Sequence, residues 1–149
     1  MSIFIGIDPG VSGGIAVVCD GEQFLGPPRL KLKDATEQDI ATWLDYINVD
    51  QAFAVIESVS SSPQMGVVSA FTFGQSYGFL RGLLTAMAIP FVPTRPQKWQ
   101  KAMGCLSKGD KNRTKAKAQQ LYPGEKITHA TADALLLATY CKQHHHELF

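Results

Sequence analysis

Apolar residues gather in short unbroken runs early in the chain and in helical stripes later. Ile3 to Ile7 is apolar throughout and stops at Asp8-Pro9-Gly10, which predicts a buried strand closed by a turn. Gly13-Gly14 leads into a second such run, Ile15 to Cys19, and Asp20-Gly21 then reads as a hairpin turn. Gln23 to Lys33 is expected to hold a third, weaker strand interrupted by Pro27-Pro28, which suggest an edge or a bulge. From Thr36 the period changes: Ile40, Trp43, Leu44 and Ile47 recur at helical spacing, and Thr36 with Asp39 makes an imperfect capping box. Ala52 to Ile56 is another buried strand, ending at Glu57. A Ser-rich loop (Ser58 to Pro63) precedes a helix over Val67 to Ala88, in which Gly74, Gly78 and Gly82 recur every four residues. Such a stripe of small residues is expected to let a second backbone come close. Pro90 to Pro93 reads as a short strand. Helices follow over Gln97–Met103, Asp110–Leu121 and Thr128–His144.

A hairpin, then a strand, a helix and further strands and helices, predicts an α/β domain around one mixed five-stranded sheet flanked by helices. The hairpin start excludes a simple doubly wound nucleotide-binding fold. With 149 residues, no internal repeat and no linker-like stretch, the chain reads as a single domain, 1–149. No apolar run is long enough to span a membrane, and the N-terminus has no basic region of the kind a signal peptide carries. Three cysteines, Cys19, Cys105 and Cys141, share no metal-ligand spacing and are expected to be reduced thiols in a cytoplasmic protein.

The net charge of +1 conceals an uneven distribution. Arg95 to Lys126 holds nine Lys and Arg against Asp110 and Glu125, a local charge of +7, so the rest of the chain carries −6. A basic block on an acidic body is a footprint for a polyanion, although a solvated helix face gives the same pattern. Lys98, Lys101, Lys108, Lys111, Arg113, Lys115 and Lys117 are the candidate phosphate contacts. Lys111 and Lys115 stand one helical turn apart, and either could stabilise charge on a reacting phosphate.

Three acids fall where chemistry could use them. Asp8 and Glu57 end predicted strands, and ligands bind at such ends. Asp133 interrupts the apolar helical stretch Thr131–Ala138, where a carboxylate needs a partner. Converging carboxylates repel unless a cation lies between them, and hard oxygen ligands suit Mg²⁺ or Mn²⁺. A pair of such ions serves phosphodiester hydrolysis. Taken singly, Asp8 could be a turn former and Glu57 a cap for the loop after it.

In their order along the chain, Ile5-Gly6-Ile7-Asp8-Pro9-Gly10, Gly13-Gly14-Ile15-Ala16, Val55-Ile56-Glu57, the glycine-spaced helix and Ala132-Asp133-Ala134-Leu135 resemble the RuvC-type Holliday junction resolvases, most closely their phage-borne members. The resemblance covers nearly the whole chain. It implies a ribonuclease H-like fold, a homodimer, and Mg²⁺-dependent nicking of four-way DNA junctions in the cytoplasm of a bacterium or a phage-infected host. It also implies that Asp8, Glu57 and Asp133 are the metal-binding acids, with two ions per site. The family usually has another acid one helical turn before the last aspartate. Here His129 stands four residues before Asp133, on the same helix face, as a metal or water ligand by resemblance or as an ordinary helix-start residue. Bacterial members carry an aromatic wedge three residues after the glutamate, where this chain has Ser60. Phe71, Phe73 and Tyr77 are the nearby aromatics, and Trp99 could stack on a base, but core packing accounts for all four as well. The run His144-His145-His146 reads as a frayed terminus.

Three other activities compete. One is broader cutting of flaps and forks, and another is a catalytically idle DNA-binding protein on the same fold. The third is an actin- or sugar-kinase-like ATPase, which shares an Asp-x-Gly turn on its first strand but needs a second clamping domain.

Overall fold

A mixed five-stranded sheet with strand order β3-β2-β1-β4-β5 lies between two helical layers. The structure, a computed structural model, describes residues 1–21, 28–47 and 51–149. Strand β1 (Ser2–Asp8) pairs antiparallel with β2 (Gly14–Cys19) and parallel with β4 (Gln51–Glu57). At one edge β3 (Arg29–Lys31) joins β2 antiparallel, and at the other β5 (Phe91–Thr94) joins β4 in parallel. The expected mixed sheet is therefore present. Pro93 sits on an edge strand, where its missing N–H interrupts no ladder.

Because β1 is central, both its faces are buried, which explains its unbroken apolar run. Ile3, Ile5 and Ile7 point to one side, into a core with Ile40 and Leu44 of α1 (Glu37–Ile47) and Leu80 and Leu84 of α2 (Val67–Ala86). Phe4 points to the other side. There it joins Trp99 of α3 (Pro96–Ala102), Ala118 of α4 (Lys111–Leu121) and the apolar face of α5 (His129–Gln143).

Capping fixes where two of these helices start. Thr36 Oγ1 accepts from the Asp39 N–H at 3.1 Å while Asp39 Oδ2 accepts from the Thr36 N–H at 2.9 Å, the reciprocal pair its sequence predicts. Asp110 accepts from the Asn112 N–H at 3.0 Å and so makes Lys111 the first residue of α4.

Within the described residues, the close backbone approach is made by other glycines than those of α2. A Cβ on Gly74, Gly78 or Gly82 would meet nothing within 4 Å, so that stripe of α2 is open. The contact lies instead under α5. A Cβ on Gly6 would stand 2.0 Å from the Ala134 carbonyl oxygen, and one on Gly14 would stand 2.6 Å from that of Ala130. Glycines in β1 and β2 thus seat the alanine ridge of α5 directly on the sheet.

The third, weaker strand expected within Gln23–Lys33 is present as Arg29–Lys31 at the sheet edge, and 22–27 lie outside the described residues. One further expectation needs correction: the C-terminal histidine run is not frayed. A short helix, α6 (His145–Leu148), packs His145 against Phe53 and Phe4 with ring centroids 4.3 and 5.5 Å apart. The cysteines are free and buried. Among the described residues, no helix is long and apolar enough to cross a membrane.

Candidate active site

Parallel pairing of β1 and β4 places their carboxyl ends side by side. Ile7 is opposite Ile56, so the next residues, Asp8 and Glu57, leave the sheet together. The chain after Asp8 is wound tightly: the Gly13 N–H donates to the Gly10 carbonyl at 2.8 Å, and a Cβ on Gly13 would stand 2.1 Å from the Asp8 carbonyl oxygen. This turn fixes where the Asp8 carboxyl emerges. Asp133 comes from the other layer, between Ala130 and Ala134, the two α5 residues resting on Gly14 and Gly6.

All three acids line one cavity of about 440 Å³, together with Lys33, Lys111, Thr114, His129, Ser12 and Phe73. The cavity opens at the end of the sheet, with walls from both layers. Phe73 and Lys33 belong to the α2 side, and Lys111, Thr114, His129 and Asp133 to the α4–α5 side.

The electrostatics are those of crowded anions. Asp8 keeps some exposed surface, but protein surrounds its carboxyl, and burial raises its pKa from 3.8 to about 6. The Asp133 charge adds to the rise, while the Gly10 N–H and Lys111 oppose it. Glu57 rises from 4.5 to about 7, mainly through burial and then the Asp8 charge, against a hydrogen bond from Trp99. Burial also raises Asp133, offset by the Thr114 hydroxyl, Lys111 and His129. Each acid would be more at ease beside a cation.

The donor set fits a hard divalent ion. Asp133 Oδ1 is buried with no hydrogen-bond partner, an acceptor left for something positive. Among the described residues, no group of three or more His, Cys, Asp or Glu is placed close enough to hold a metal ion as it stands, so the fit lies in the chemistry of the donors and not in a preformed cage.

No protein-family model matches the chain. Over 94 residues it is 31% identical to the chloroplastic Holliday junction resolvase MOC1 of Chlamydomonas reinhardtii, a match covering 59% of this chain and 11% of that protein's length. It is also similar to the solved structure of Thermus thermophilus RuvC in complex with a Holliday junction substrate, with a TM-score of 0.68, 15% identity, and coverage of 97% of this chain and 96% of that one. A second Thermus thermophilus RuvC structure matches with a TM-score of 0.64, 14% identity and the same coverage. The chain has the RuvC fold.

On this RuvC fold the predicted site residues divide. Asp8, Glu57, His129, Asp133 and Lys111 converge on the cavity. Lys115, one turn further along α4, is half-buried and is not among the residues lining it. Lys98, Lys101 and Lys108 are exposed on α3 and the connector to α4. Arg113 and Lys117 border a separate hollow of about 340 Å³ with Cys105 and Leu106, and Arg113 donates to the Leu106 carbonyl at 3.0 Å. Of the aromatics, Phe73 reaches the cavity, Phe71 is exposed, Tyr77 packs into the α1–α2 core, and Trp99 is fully buried. Lys33, Ser12 and Thr114 were not singled out in the sequence. Lys33 follows a short edge strand, and no local pattern ties it to Asp8.

Proposed function

We propose that the chain is a metal-dependent endonuclease that nicks four-way DNA junctions, with Asp8, Glu57 and Asp133 as its metal-binding acids. The observation that carries this reading is the convergence of these three carboxylates, from β1, β4 and α5, on one cavity. The junction as substrate is supported by the MOC1 match and by the likeness to a RuvC solved with a Holliday junction. In this reading the acids hold Mg²⁺, with Mn²⁺ as the alternative and two ions per site. When bound, these ions lower the pKa of water and neutralise charge on the phosphate. The chain's own groups do the rest. The Lys111 ammonium, at the cavity wall, faces the negative charge that builds on the phosphate oxygens. A ring nitrogen of His129 takes the proton that the attacking water gives up. Burial around Asp8 and Asp133 keeps bulk water from screening these charges.

Lys98, Lys101, Lys108, Arg113, Lys115 and Lys117 neutralise phosphates of the junction arms. We also assign a homodimer, because two symmetric nicks call for two sites related by a twofold axis. The open glycine stripe of α2 supports this. It continues into Val67, Val68 and Phe71, which are 87%, 80% and 67% exposed, an unusual apolar display for a lone chain. The place of action is the cytoplasm of a bacterium or a phage-infected cell, where such DNA occurs.

Synthetic four-way, three-way, flap and linear DNA, each incubated with and without Mg²⁺, test the reading. Mg²⁺-dependent paired nicks in the four-way junction are expected. Equal cutting of flaps and forks would favour the broader nuclease, and binding without cutting would favour the idle protein. Asp133→Asn is expected to bind the junction without nicking it, and full activity in that variant overturns the site.

A further inference from the structure

Trp99 is the largest fully buried side chain of the molecule, and its polar edge is not spent within the core. Its indole N–H donates to Glu57 Oε2 at 2.8 Å, across 42 positions of sequence. The ring is packed among the residues of the α3–α5 core, so the donor cannot swing away without opening that core. The next residue fixes the helix further. Gln100 Oε1 accepts from the Ser107 N–H at 3.2 Å and the Ser107 hydroxyl at 3.1 Å, tying α3 to the connector before α4. On the other side of α3, Lys98 and Lys101 are exposed.

A glutamate has three side-chain torsions to fix, and Asp8 and Asp133 present like charge to Glu57. Among the described residues, the side-chain hydrogen bond on the Glu57 carboxylate comes from Trp99. It uses Oε2, orients the carboxylate plane, and leaves Oε1 for a cation.

We propose that Trp99 is a positioning residue that holds the Glu57 carboxylate ready for a divalent cation, an assignment that rests on the nuclease reading above. Trp99 touches neither DNA nor the reacting atoms and acts through Glu57 alone. Because the donor is an indole, it also reports on its acceptor: a cation drawing charge from Glu57 changes the polarity at the ring edge and hence the emission.

The chain has two tryptophans, and Trp43 lies in α1, packed against the opposite core. Trp43→Phe therefore leaves Trp99 as the sole indole emitter. In this background, Ca²⁺ or Mg²⁺ titrated without DNA is expected to shift Trp99 emission, and Glu57→Gln is expected to abolish the shift. Trp99→Phe keeps most of the ring volume and removes the donor. It is expected to raise the half-saturating Mg²⁺ concentration, read both from the rise in unfolding midpoint and from nicking, by about tenfold, or ~1.4 kcal/mol. Junction affinity in chelator should stay at the wild-type value. Wild-type nicking with an unchanged Mg²⁺ requirement in Trp99→Phe overturns the assignment and leaves the nuclease reading intact. If Trp99→Phe fails to fold, the emission experiment decides: Trp99 emission that ignores a cation which still supports nicking overturns the assignment. A wild-type chain that neither binds divalent cations nor nicks any junction overturns the nuclease reading and this inference together.

Discussion

Replacing Asp8 by asparagine is expected to strengthen the cation-free fold at neutral to basic pH while ending its activity. The folded Asp8 carboxyl titrates at about 6 rather than 3.8, first because it is buried and then because Asp133 faces it. Well below the unfolded value of 3.8, both the folded and unfolded chains carry the proton, and ionisation costs nothing. As pH rises the unfolded chain releases its proton first, so the folded state becomes relatively less stable. The loss is complete once pH exceeds the folded value. A rise of roughly two units corresponds to about 3 kcal/mol. An amide at this position has no charge to bury and can still accept from the Gly10 N–H. Urea unfolding in the presence of a chelator measures the difference directly. At about pH 8 the Asp8→Asn chain should be more stable by up to about 3 kcal/mol, and near pH 4 the gap should fall below about 1 kcal/mol. Glu57, raised to about 7, adds a decline of the same sign to both chains. Mg²⁺ should then stabilise the wild type far more than the variant. A variant no more stable than wild type at the higher pH, or a gap independent of pH, would refute the argument from buried charge.

Gly6→Ala is expected to force α5 away from the sheet by at least about 1 Å, at a cost of ~1–3 kcal/mol or more in urea unfolding and with loss of nicking as Asp133 moves. Wild-type stability in that variant would contradict the close approach of α5 to Gly6. Gly78→Ala should leave the isolated chain folded but lower the dimer fraction in sedimentation experiments, by ~1–3 kcal/mol of association; an unchanged fraction removes the α2 stripe from the dimer face. Lys111→Ala should slow single-turnover nicking by about 10²-fold. Lys115→Ala, away from the cavity, should instead weaken binding and flatten the salt slope by about 0.9. His129→Ala should lower turnover by about 10²-fold with junction affinity unchanged, and a wild-type rate would make the residue a helix-start residue only.

Much of this arrangement was legible in the sequence because it is local. The apolar run of β1 ending at Asp8 and the Thr36–Asp39 box each declare themselves within a few residues, whereas Asp110, expected as the first residue of its helix, is its cap. Asp133 was conspicuous because a carboxylate among alanines and leucines conflicts with burial. What the sequence could not display is tertiary. The Trp99–Glu57 bond joins α3 to β4, and neither neighbourhood hints at the other. Lys33 follows the edge strand β3, and its place at the cavity depends on how the sheet assembles. The glycine stripe of α2 reads as a surface for close approach, but among the described residues nothing of the same chain packs on it. Gly6, whose flanking isoleucines make it look like a mere gap in a strand, performs that role instead. The terminal histidines read as a frayed end, yet Phe4 of β1 and Phe53 of β4 give His145 a place to pack.

The cavity takes its two sides from cores that the sheet keeps apart. Isoleucines of β1 anchor the side bearing Phe73 and Lys33, whereas Trp99, Ala118 and the α5 leucines anchor the side bearing Asp133 and Lys111. Repacking either core therefore reshapes one jaw of the cleft and leaves the other still, so cleft width and catalytic chemistry are open to independent adjustment, in the laboratory as in descent.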